Sequence, residues 1–116
     1  MKNHLDHAVC PAVETLALIG GRWKVTILHV LSKHARRFGE INVRVPAISK
    51  KVLTEQLREL EADGLISRKP YKELPPKVEY ALTEFGKSLC PLLIYMAAWQ
   101  TNANDNSPQD KTQFTD

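Results

Sequence analysis

The chain has 116 residues, a formal net charge of +3, 43% hydrophobic and 25% charged residues, and two cysteines. That size and balance predict one domain with a core large enough to fold alone, and no apolar run approaches the roughly 20 residues of a bilayer span. The opening MKNHLDHAVC is too polar for a signal peptide, so the expected compartment is the cytoplasm, where structural disulfides are uncommon.

Residues 1–9 read as a flexible arm. Pro11 to Ile19 predicts a first helix, because Val13, Leu16 and Ala17 recur at helical spacing. Pro11 fits the first helical position, and Gly20-Gly21 stops the helix. Trp23 to Ser32 predicts a second helix with Trp23, Ile27, Val30 and Leu31 on one face. RRFGEINVRVP then gives an extended piece at Arg36–Phe38 and a short helix with Phe38, Ile41 and Val45 inward, ended by Pro46. SKKVLTEQLRELEAD is a longer helix: Ser49 is a good N-cap, Leu53, Leu57 and Leu60 form its apolar stripe, and Gly64 suits a left-handed C-terminal cap.

Leu65–Lys69 and Val78–Leu82 predict the two strands of a hairpin with a polar, proline-rich tip. Thr83 caps a last helix, EFGKSLCPLLIYMAAW, which is unusually apolar and which Pro91 is expected to kink. Residues 101–116 contain no Val, Ile or Leu and carry a charge of −2, so a disordered tail is expected. The preceding hundred residues carry +5, a balance compatible with nucleic-acid binding.

The predicted fold is therefore mainly α with a small β-hairpin wing: a winged helix-turn-helix over residues 10–100, with extra N- and C-terminal helices for dimerisation. On the longer helix the leucines point one way. Lys51, Thr54, Glu55 and Arg58 point the other, with Ser49 and Lys50 at its start. A recognition helix enters the major groove by its N-terminal part, where a phosphate also suits the helix dipole. Arg68, Lys69, Lys72 and Lys77 surround the wing tip, and Arg36 and Arg37 precede the short helix as a phosphate clamp. The alternatives are a solvated amphipathic helix, a solubilising edge hairpin and, for Arg36 and Arg37, a surface loop.

LIGGRWKVTILHVL, RRFGEI, ISKKVLTEQLRELEADGLI and PPKVEYALTEFGKSLCPLL resemble the HxlR-type winged-helix transcriptional regulators of bacteria, over about Cys10 to Trp99. The resemblance implies a homodimer built from the first and last helices, binding to a palindromic operator in double-stranded DNA, and DNA contacts from Ser49, Lys50, Lys51, Thr54 and Arg58. Glu55 departs from the neutral or basic residue expected there; it either accepts from a cytosine amino group or repels phosphate.

Val13 and Leu16, with Leu92, Leu93, Tyr95, Met96 and Trp99, form more apolar surface than so small a domain covers, which predicts the dimer interface. Cys10 precedes Pro11, at the end of the first helix where the dipole favours a thiolate; Lys2, His4 and His7 add positive charge if they fold back. The resemblance implies a redox- or electrophile-sensing cysteine at this position. The plainer reading is a small hydrophobe in the interface. Cys90, among leucines, reads as packing.

His4, His7 and Cys10 have a loose ligand spacing, but a metal is not expected there. No cofactor is expected, and no catalytic set of residues emerges, so an enzyme is not expected. The expected function is a DNA-binding transcriptional regulator, a repressor, responding to redox or electrophile stress. The alternatives are control by a small ligand in the dimer cleft, and a winged helix used for protein–protein contact.

Overall fold

A computed structural model describes residues 10–114, with side chains over residues 10–103. Lys2, His4 and His7 lie outside the described residues, and so does the arm assigned to residues 1–9.

Helix α1, Ala12–Ile19, starts at Pro11 without a side-chain cap. Its first turn is closed by the Cys10 carbonyl, which accepts from Val13 N–H at 3.1 Å, and by the Pro11 carbonyl, which accepts from Glu14 N–H at 3.0 Å. Helix α2, Lys24–Lys33, buries Ile27, Leu28, Val30 and Leu31. Strand β1 is only Arg36–Arg37, and helix α3 follows as Phe38–Arg44.

The turn after α3 is fixed by its own polar groups and by two buried side chains. Ile48 N–H donates to the Val45 carbonyl at 3.4 Å, and Asn42 Nδ2 reaches the Ile48 carbonyl at 3.4 Å. Val45 and Ile48 are buried, while Ala47 between them has φ 69°. Helix α4, Lys50–Ala62, begins where Ser49 Oγ accepts from Val52 N–H at 3.1 Å. It ends in the expected left-handed glycine: Gly64 has φ 80°, and Leu65 N–H returns to the Leu60 carbonyl at 3.0 Å.

Strands β2, Ile66–Tyr71, and β3, Lys77–Leu82, form the wing, longer at its outer end than the sequence predicts. The sheet is antiparallel in the order β1-β3-β2, with Arg36 opposite Tyr80 and Arg68 also opposite Tyr80. Pro70 lies in β2, an edge strand, where its missing N–H breaks no inner ladder. Thr83 joins the pieces. Its hydroxyl donates to the Gly64 carbonyl at 2.6 Å and accepts from Gly86 N–H at 3.0 Å, while its backbone N–H donates to the Leu65 carbonyl at 3.1 Å. One residue thus ties the end of α4, the base of the wing and the start of the next helix.

The last helix departs from expectation in one respect. It is two helices, α5 at Glu84–Ser88 and α6 at Cys90–Phe114, meeting at Leu89. Pro91 therefore does not kink a helix interior; it sits in the first turn of α6, where an N–H has no acceptor to lose. The backbone of α6 is helical as far as Phe114. Ala97, Ala98 and Ala103 favour the helix, and extending a helix already started is cheaper than nucleating one.

Ile27, Leu28, Ile41, Leu53, Leu57, Leu60, Leu65 and Ile66 make the centre of the core. Gly86 is buried where α5 crosses the chain after α4, and a Cβ there would fall on the Leu65 carbonyl oxygen. Gly39, in α3, has open space in the same position. Gly86→Ala is expected to lower the unfolding free energy by about 1–3 kcal/mol, and Gly39→Ala to leave it level or raise it by about 0.5–1 kcal/mol. Urea unfolding at one protein concentration measures both.

Candidate nucleic-acid interface

The site is built around α4. Leu53, Leu57 and Leu60 are buried against the core, so the opposite side of the helix is held outward. Lys51, Glu55 and Arg58 are exposed on that side, with Ser49 and Lys50, also exposed, at the start. Two hydroxyls in this group are partly committed. Ser49 Oγ caps the helix and keeps only its own proton to donate. Thr54 is half-buried, and its hydroxyl donates to the Lys50 carbonyl at 2.8 Å, which leaves it an acceptor.

A second contact pins α4 to α2. Lys24 is 8% exposed, and its Nζ lies 2.6 Å from Glu59 Oε1. Sequence reading missed this pair. The signal was present: Lys24 shares the apolar face of Ile27, Leu28 and Leu31, and a lysine on such a face needs an acid.

Arg36 and Arg37, expected to act together, are separated by the pleat. Arg36 lies opposite Tyr80, which packs on the core, and its Nε donates to the Val30 carbonyl at 3.4 Å. Arg37 lies opposite Glu79 on the outer face. Its backbone N–H donates to Glu40 Oε1 at 2.9 Å, and its guanidinium stands 3.8 Å from Glu40 Oε2. That backbone hydrogen bond, aided by the Arg37, Arg36 and Arg44 charges, holds the Glu40 carboxyl below the usual carboxylate range.

The outer face of the wing carries Lys69 opposite Glu79 and Tyr71 opposite Lys77. Tyr71 organises it. Its hydroxyl donates to Glu79 Oε1 at 2.9 Å, a bond that raises the phenol's pKa. The Lys69 and Lys77 ammonium groups lie 5.2 and 5.1 Å from its ring centroid. Lys77 also stands 3.8 Å from Glu73. Arg68 and Lys72 are exposed and enter no ion pair among the described residues. The tip between the strands presents Leu74, 97% exposed, and two prolines.

The surface expected to join two copies is exposed over Val13, Leu16, Tyr95 and Trp99, and partly over Leu92 and Met96. Leu93 differs: it packs against the core of its own chain. Cys10 is exposed beside the start of α1, and Cys90 is half-buried. Among the described residues no three His, Cys, Asp or Glu side chains gather to hold a metal ion, and no helix is long and apolar enough to cross a membrane.

Residues 18–108 match the family model of the HxlR-like helix-turn-helix. The chain is 47% identical over 100 residues to the uncharacterized HTH-type transcriptional regulator YdeP of Bacillus subtilis, covering 86% of this chain and 78% of YdeP. Among solved structures it resembles the redox regulator HypR in its reduced form, with a TM-score of 0.80 and 42% identity, over 86% of this chain and 99% of that one. It also resembles diamide-treated YodB from B. subtilis, with a TM-score of 0.70 and 40% identity, over 86% of this chain and 97% of that one.

The Lys24–Glu59 pair yields a stability test. Glu59→Gln leaves a nearly buried ammonium without its acid, whereas Lys24→Met removes the charge and keeps the apolar stem. Because Glu59 is half exposed, screening reduces the pair's worth. Glu59→Gln is expected to cost about 1–2 kcal/mol and Lys24→Met less, as read by chemical denaturation; the reverse order would show that the pair does not hold α4.

Proposed function

The chain belongs to the HxlR-like helix-turn-helix family, and from that premise we propose that it is a homodimeric repressor whose paired α4 helices read a palindromic operator. The family is one of transcriptional regulators, not of enzymes, and the helix-turn-helix implies DNA as the partner. The observation that carries the finer reading is the cationic first half of α4, held outward by three buried leucines.

In this reading the N-terminal half of α4 enters the major groove. Lys50 and Lys51 meet phosphates, Arg58 and Glu55 face base edges, and Ser49 donates its remaining proton. Arg68 and Lys72 meet the backbone beside the wing. Lys69 and Lys77 are set by Tyr71 toward the same task. Arg37 contributes more than Arg36, which is turned inward to α2. Two copies join through α1 and α6, with Val13, Leu16, Leu92, Tyr95, Met96 and Trp99 covered and Leu93 lying beneath them. A two-fold axis then spaces the α4 helices about 34 Å apart, one turn of DNA.

Cys10 is the effector site in this reading. It is exposed and adjoins α1, whose Val13 and Leu16 belong to the expected interface. Oxidation there acts on the dimer helices and so on the spacing of the reading heads. The likeness to HypR, a redox regulator, and to diamide-treated YodB supports it.

Lys51→Ala with Arg58→Ala is expected to weaken operator binding and to reduce the slope of log affinity against log salt by about 1 for each phosphate no longer neutralised. A gel-shift series over salt concentration reads both, and an unchanged slope would remove α4 from the interface. In the same assay diamide is expected to release wild-type protein from DNA and to leave Cys10→Ser bound. Equal release of both would remove Cys10 as the sensor.

A further inference from the structure

A cavity of 650 Å³ lies between α2 and α6, within the size range of pockets that take drug-sized molecules. One wall is apolar and comes mainly from Val25, Leu93, Ile94 and Ala97. The other is polar and comes from the last two turns of α2, with His29 and Lys33 as its nitrogen bases. No carboxylate lines the cavity among the described residues. Ser32 Oγ donates to the His29 carbonyl at 2.6 Å, so its hydroxyl offers an acceptor only. Thr26, His29 and Lys33 are the side chains left to donate to a ligand.

The cavity is not on the surface expected to join two copies. At about 100° per residue, Cys90, Leu93, Ile94 and Ala97 share one side of α6, toward α2. Leu92, Tyr95, Met96 and Trp99 point to the opposite side. A second copy seated on the latter stripe leaves the former open. The apolar wall with a cationic rim fits a small molecule of matching polarity.

We propose that this cavity binds an amphipathic small molecule with an apolar body and one anionic group, the body lying along Val25, Leu93 and Ala97 and the anion meeting Lys33 and His29. The site adjoins α2, the helix whose Lys24 holds Glu59 of α4. A ligand there touches the element that carries the reading helix. It is a site separate from Cys10 and from the dimer cleft.

The test uses the full chain with Cys10→Ser, which leaves Cys90, in the cavity wall, as its single thiol. Decanoate, decanol and decylamine serve as probes, and binding is followed by calorimetry and by the rate at which N-ethylmaleimide alkylates Cys90. Decanoate is expected to bind once per chain, to slow alkylation saturably, and to bind about tenfold more tightly than decylamine. Lys33→Met is expected to bring decanoate to the level of decanol, and Ala97→Phe, which fills the apolar wall, to abolish binding of both.

Equal binding of the three probes, or binding without protection of Cys90, would overturn the proposal. So would Cys90 shielding that rises with protein concentration in the absence of any probe, since a second copy would then be covering the cavity. No DNA enters the experiment, so its failure is distinct from failure of the operator reading.

Discussion

The fold turns on how α4 is seated. Burying Leu53, Leu57 and Leu60 contributes about 2 kcal/mol each, and the three together fix the rotation of the helix about its axis. The Lys24–Glu59 contact adds little energy but sets the helix against α2 at a polar point. With the rotation fixed, the residues on the far side have no freedom to turn inward. The cations of the first two turns are presented to solvent because the leucines are not. Thr83 extends the same control to the wing, since its hydroxyl bridges the end of α4 and the start of α5.

Not every cation in the basic body is equally available. Arg36 is drawn to a backbone carbonyl of α2, and Arg37 is paired with Glu40. Lys69 and Lys77 lean on Tyr71, itself anchored to Glu79. What is left without a protein partner is concentrated at the start of α4 and on the outer wing. These groups carry no internal ion pair among the described residues that would have to break before a phosphate binds.

Much of this was legible in the chain. The leucine stripe, the Ser49 cap, the glycine at residue 64 and the packing of Tyr80 and Leu82 on the core each have a local physical cause, and each lies where the sequence places it. The outward-facing residues of α4 follow from the same stripe by rotation. Other features depend on contacts distant in sequence. The separation of Arg36 from Arg37 is set by pairing with β3, more than forty residues later. The Tyr71 cluster needs the register of the hairpin, which its turn decides. Ala47 with φ 69° carries no mark in its side chain. The break at Leu89 was missed because Pro91 signals a disturbance without saying whether it begins a helix or bends one. The cavity is invisible to sequence reasoning, for it exists only where α6 crosses α2.

Two copies of α4, outward-facing and related by a two-fold axis, are what operator reading requires of this fold. Hydroxyl-radical footprinting of the full chain on the DNA upstream of its own gene tests that arrangement most directly. Two protected patches of equal strength are expected, symmetric about a dyad and one helical turn apart. A single protected patch, or uniform protection without a dyad, would contradict it.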